Sequence, residues 1–421
     1  MKLTPPKIQS FPEWELKKPE ILTLDNGIPV YAVNMGTQDV LKVELVVKGG
    51  RPYESKQLTG RATARMLREG SQKRSGGEMA EQIDYYGGSI SAPFNMDTSN
   101  MAMFCLTRNF PQLAPLLAEV ITEPAFPEDE LQSFIINSKQ RLKVDLSKND
   151  VIAYRTLTEY IFGASHPYGY NSFPHSYEAL HRDDLIQHYR TNYVAGNCLL
   201  FVSGKFEKDT LDILNQTLGQ AIPRGHNPPA DMRPEDLSPQ SLHIYQPDTV
   251  QTAIRIGRRM FNRSHPDYFP FSILNTILGG YFGSRLMANI REDKGYTYNI
   301  YSSMDPMIFD GFFCIATEVG NDFVERTLDE IYYEMDRLCR EPVGEEELAM
   351  VRSYLLGNLL GMVDGPFNAA GVIKALVLDE LPLDYFPQMA QQVRKISPEE
   401  LMRIAQKYLS RENMWQIVVG T

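Results

Sequence analysis

The chain has 421 residues, 43% hydrophobic and 23% charged, a globular composition too long for one ordinary core. Its net charge of −11, from 42 basic and 53 acidic side chains, disfavours a nucleic-acid surface. No apolar run approaches the roughly 20 residues that span a bilayer, and Met1–Lys7 has no apolar leader core; the expectation is cytoplasmic residence, or export if a leader has been removed.

Along the chain, Gly27–Val33 and Lys42–Val47 read as two strands of a hairpin, entered by a turn at Asp25-Asn26-Gly27. Thr59–Leu67 and Gly77–Tyr86 read as helices, and Ser89–Asn95 and Asn100–Leu106 return as strands. The pattern then repeats. Arg182–Gly204 aligns without gaps on Pro398–Gly420, each an acidic helix start, an amphipathic helix, a turn and a buried strand. Phe104-Cys105-Leu106-Thr107 and its helix Gln112–Ile121 are echoed by Phe313-Cys314-Ile315-Ala316 and its helix Asp322–Met335. These echoes predict an α+β fold of two homologous domains, 1–225 and 226–421, each an antiparallel-rich mixed sheet backed by helices. The Pro-rich, polar stretch Ile222–Asp231 is the expected linker. The four cysteines lie far apart in apolar surroundings and read as free thiols.

Leu24-Asp25-Asn26-Gly27, Lys48-Gly49-Gly50-Arg51, the helix with Arg61 and Arg65, and Tyr86–Ala92 resemble, in order, the N-terminal half of the insulinase (pitrilysin) family, above all its mitochondrial processing peptidase-like branch. Leu278–Leu286 and Ile290–Tyr298 resemble the family's second half. Active members carry His-x-x-Glu-His on one helix, two metal ligands and a base beside the metal-bound water. The resemblance puts Arg61 and Arg65 at the His positions and Ala64 at the Glu position, and Leu142 where a further Glu ligand would stand. Arginine offers no lone pair and alanine takes no proton, so the expectation is no metal and no cofactor on this chain.

In the family's two-chain peptidases an Arg and a Tyr spaced like Arg291 and Tyr298 contact the peptide opposite the partner's zinc, which implies a catalytic role for this pair. The segment matching Ser89, Ser91, Ala92 and Asn95 binds extended peptide at a sheet edge in relatives; here Pro93 removes one donor, and Ser91 replaces their usual Asn. The run Leu278–Arg285 lacks the Gly-Lys-Ser/Thr ending and the Rossmann spacing, so it reads as a close helix–sheet approach instead of a nucleotide loop. The resemblance thus implies a substrate-binding subunit of a zinc metalloendopeptidase, without activity of its own. Its expected partners are a zinc-bearing homologous subunit, or a second copy, and a peptide, with no nucleic acid and no membrane. The alternative is a structural or peptide-binding homologue resembling the core proteins of the bc1 complex.

Overall fold

The computed structural model describes residues 15–421, so Met1–Lys7, read above for a leader, lies outside them. The first half contributes strands β1 (Glu20–Thr23), β2 (Pro29–Asn34), β3 (Val40–Val47), β4 (Ser89–Ser91), β5 (Ser99–Leu106) and β6 (Cys198–Gly204). Its helices are α1 (Thr59–Met66), α2 (Gly76–Tyr85), α3 (Phe110–Thr122), α4 (Glu128–Asp145), α5 (Asn149–Phe162), α6 (Pro174–Glu178), α7 (Arg182–Asn192) and α8 (Lys208–Leu214). The strands form one sheet in the order β1-β2-β6-β3-β5-β4, antiparallel except where β2 meets β6.

The second half repeats the scheme with β7 (Ser241–Tyr245), β8 (Gln251–Met260), β9 (Thr297–Pro306), β10 (Gly311–Gly320) and β11 (Trp415–Gly420). The order is β7-β11-β8-β10-β9, with β7 and β11 parallel. Its helices are α9 (Tyr268–Asn275), α10 (Val324–Arg340), α11 (Glu345–Gly361), α12 (Gly365–Leu378), α13 (Tyr385–Lys395) and α14 (Pro398–Tyr408). The repeated motif of the sequence is α7–β6 and α14–β11. In each sheet its strand lies between one parallel and one antiparallel neighbour. The α+β class with two mixed, helix-backed sheets therefore stands.

Two local expectations need correction. Strands β2 and β3 are not a hairpin, because β6 lies between them and pairs with both. The turn at Asp25-Asn26-Gly27 instead joins β2 to β1, with the Gly27 N–H donating to Leu24 O at 2.8 Å. The strand expected over Ser89–Asn95 ends at Ser91. Pro93 has no N–H to give a ladder, and the Asn95 side-chain Oδ1 bends the chain by accepting the Asp97 and Thr98 N–H groups at 2.8 and 2.7 Å.

Each half lends a helix to the other's sheet. Ala153, Leu157 and Ile161 form a stripe on α5, and that stripe packs in one cluster with Ala253, Phe312, Trp415 and Ile417 of the second sheet. Reciprocally, Ala370, Ile373 and Leu376 of α12 share a core with Val33, Val46 and Phe201 of the first sheet. There Lys374 Nζ reaches the buried Glu44 carboxylate at 2.7 Å. A division at residue 225 thus separates the strands of the two sheets but not the helices that cover them. Asp97 ties the halves directly, accepting the Ile308 N–H at 3.1 Å and the Tyr168 hydroxyl proton.

The glycine-rich run behaves as its composition predicts. A Cβ on Gly279 would lie 2.5 Å from Ser302 N, so only glycine lets this segment press against β9. The four cysteines are free thiols, with three of them buried.

Candidate functional site

Helix α1 opens on Leu58, held at φ 72, a left-handed conformation unusual for leucine. Glu54 fixes this start. Its carboxylate accepts the Leu58 N–H at 3.2 Å, the Gly60 N–H at 2.9 Å and the Tyr170 hydroxyl at 2.7 Å. These two backbone donors belong to the unsatisfied N-terminal set of the helix. Burial pushes the Glu54 carboxyl up from its ordinary value, against the pull of the Tyr170 and Gly60 hydrogen bonds. Beneath the helix, His188 is buried with Nε2 at 3.1 Å from Gly49 O, and burial lowers its pKa to about 4, so it is neutral near pH 7.

Arg61 and Arg65 project from one face of α1 into a cavity of about 1120 Å³ whose wall also includes Ala92, Asn95, Arg141 and Leu142. Ala64 faces the core and is 1% exposed. The structure therefore brings Arg61, Arg65 and Leu142 to one place, together with Ala92 and Asn95. It leaves Ser89 and Ser91 on the exposed outer strand β4, away from the cavity wall. Arg65 pairs with Glu69 one turn on. Arg61 has no hydrogen-bond, ion-pair or ring partner among the described residues.

This donor set does not fit a zinc ion. Two guanidinium groups repel a dication, Ala64 has no proton acceptor, and Leu142 presents a buried hydrocarbon. Among the described residues, no group of three or more His, Cys, Asp or Glu side chains is placed to hold a metal. Likewise, no described helix is long and apolar enough to cross a membrane.

Arg291 and Tyr298 meet elsewhere, at the exposed end of the second sheet. Arg291 lies in a widened, π-helical turn, Met287–Asp293, where Lys294 N–H donates to Asn289 O five residues back at 3.2 Å. Both flanks are clamped. Arg285 makes a two-pronged bond to Glu347 at 2.8 and 2.9 Å, and Asn289 donates to Glu330 and Glu334 at 3.1 and 2.7 Å. The Arg291 guanidinium then hangs between two rings, 4.8 Å from the Phe282 centroid and 5.1 Å from that of Tyr298. Those rings are 60% and 84% exposed, so neither fills a core. Arg291 pairs with neither Glu292 nor Asp293, and its N–H donors have no acceptor among the described residues.

Sequence reasoning missed Phe282 and Glu54. Phe282, apolar inside a glycine run, is the one with a readable signal, since an aromatic there has no core to enter. Glu54 lies in no motif that would mark it in the sequence.

The family profile described as Insulinase (Peptidase family M16) matches residues 30–162, and that described as Peptidase M16 inactive domain matches residues 179–355. An uncharacterized zinc protease of Rickettsia bellii is 24% identical over 390 residues, covering 90% of each chain. The mitochondrial-processing peptidase subunit beta of Lentinula edodes is 22% identical over 419 residues, 93% of this chain and 87% of that protein. The crystal structure of a peptidase M16 inactive domain from Pseudomonas fluorescens superposes with a TM-score of 0.88 at 23% identity, covering 96% of this chain and 98% of that one.

Proposed function

The chain belongs to the insulinase family, peptidase family M16, without that family's zinc motif, and from this we infer that it is the substrate-binding subunit of a two-chain metallopeptidase whose zinc sits on a homologous partner. Substrates are peptides or unfolded segments. The observation that carries the reading is the Arg291 guanidinium, held between Phe282 and Tyr298 with its donors free, in a chain whose α1 presents Arg61, Ala64 and Arg65.

The division of labour follows from chemistry. Hydrolysis needs an activated water, which the partner's metal would supply. Orientation of the peptide and stabilisation of negative charge on its carbonyl oxygen need only donors. Arg291 offers several charge-assisted N–H groups, and it lies within cation–π distance of both rings. Tyr298 adds a phenolic donor beside it. The β4 edge, with Ser89 and Ser91, gives an extended peptide a strand to pair with, although only over three residues.

Mixing the purified chain with a zinc-bearing homologue from the same source tests this. Cleavage of a quenched fluorescent peptide is expected from the mixture and from neither chain alone, together with co-elution as a heterodimer on a sizing column. A chain that elutes only with itself, or as part of a stable assembly without peptide affinity, contradicts the reading and favours a structural role.

A further inference from the structure

The cavity between α1, α4 and α5 holds more positive charge than its surroundings balance. Five arginines reach its wall, against the carboxylates of Glu69, Glu130 and Asp145. Most of these charges are accounted for. Arg65 pairs with Glu69, and Asp145 with Lys148 at 3.0 Å. Arg51 faces Glu54 and donates to the Tyr170 carbonyl at 3.1 Å, while Arg155 faces Glu159 and donates to the Ser172 carbonyl at 2.6 Å. Apart from the carboxylate of Glu130, which is likewise unpaired among the described residues, Arg61 on α1 and Arg141 on α4 are the exceptions. Both side chains are exposed to the cavity, and neither has a carboxylate or any other partner among the described residues.

Two uncommitted guanidinium groups in one open cavity, within a chain of net charge −11, are a local reversal of charge. We propose that Arg61 and Arg141 receive carboxylate side chains of the bound peptide, so that acidic segments are the preferred substrate class. This rests on the peptide-binding reading above and specifies which peptide.

Geometry favours a peptide over other anions. Ala92 and Asn95 border the same cavity, and they directly follow β4, whose outer edge has no strand partner. A segment added to that edge projects alternate side chains to one face, and its continuation past Ala92 and Asn95 meets the cavity that Arg61 and Arg141 line. Phe94 and Phe134 on the wall give the aliphatic stems of Glu an apolar lining. A long polyphosphate would instead meet the net negative charge of the rest of the chain.

Fluorescence anisotropy with the chain alone separates the possibilities. Three labelled extended peptides are compared, identical except for Glu, Gln or Lys at alternate positions, alongside a labelled oligothymidylate. The Glu peptide is expected to bind tightest and the Lys peptide weakest, and the order should collapse in about 1 M salt, where the screening length is about 3 Å. Arg61→Gln with Arg141→Gln should weaken the Glu peptide by about tenfold, to the level of the Gln peptide. The paired Lys substitutions should restore most of the difference. An order that survives the double Gln variant, or binding without charge preference, overturns the proposal while leaving peptide binding intact. Failure of every peptide to bind removes the underlying reading as well, and tighter binding of the oligothymidylate than of the Glu peptide overturns the proposal in favour of a nucleic acid.

Discussion

Replacing Arg291 with alanine should reduce the peptide cleavage of the reconstituted pair by about 10²- to 10³-fold in kcat, the effect of removing one donor that acts on a developing oxyanion. The structure makes this a clean substitution. Arg291 carries no ion pair and no side-chain hydrogen bond among the described residues, and it sits between exposed rings. Its removal therefore leaves no buried charge and opens no core cavity, so the melting temperature should stay near that of the parent chain. Lysine at the same position keeps the charge but not the planar fork that stacks between Phe282 and Tyr298, and should recover only part of the rate. Unchanged kcat in the alanine variant would mean that the sandwich is a surface ornament of the fold.

Glu54→Ala should destabilise the chain by about 3 kcal/mol, because the Leu58 and Gly60 N–H groups and the Tyr170 hydroxyl lose their shared acceptor. The site cannot easily rearrange. Leu58 is already in a left-handed conformation, and a Cβ on Gly60 would lie 2.8 Å from Gly49 O, so α1 has little room to shift. Glu54→Gln keeps one acceptor oxygen and should cost less. Both variants also differ from the parent chain in pH response. Burial raises the Glu54 carboxyl above its ordinary 4.5 in the folded chain. Such a group contributes stability that is complete below its unfolded value and is lost as pH rises through the folded one. Both variants should therefore lack that decline, as read from urea melts across the acid range.

What the sequence made legible was whatever is local. The acidic starts of α7 and α14, the strands that follow them and the glycine run pressed against β9 all read directly from residue pattern, since their causes lie within a few residues. The false hairpin between β2 and β3 shows the limit. Two adjacent strands look paired until β6, more than 150 residues away from either, is placed between them. The exchange of α5 and α12 between the sheets escaped for the same reason, since an apolar stripe records that a face is buried but not against what. At the site, the family resemblance set Arg61, Ala64, Arg65 and Leu142 against the metal-donor positions, and residue chemistry then spoke against a metal there. The ring sandwich around Arg291 did not, because Phe282 reaches it only through the clamped, widened turn. The cavity that unites α1 with Arg141 required the fold itself.

The account stands on a chain that holds no zinc while its partner does. Elemental analysis of the untagged chain and of its zinc-bearing partner, each purified without chelator and without added metal, tests that most directly. Zinc near one equivalent is expected in the partner and close to none in this chain. One tightly held transition-metal ion per copy of this chain would contradict it.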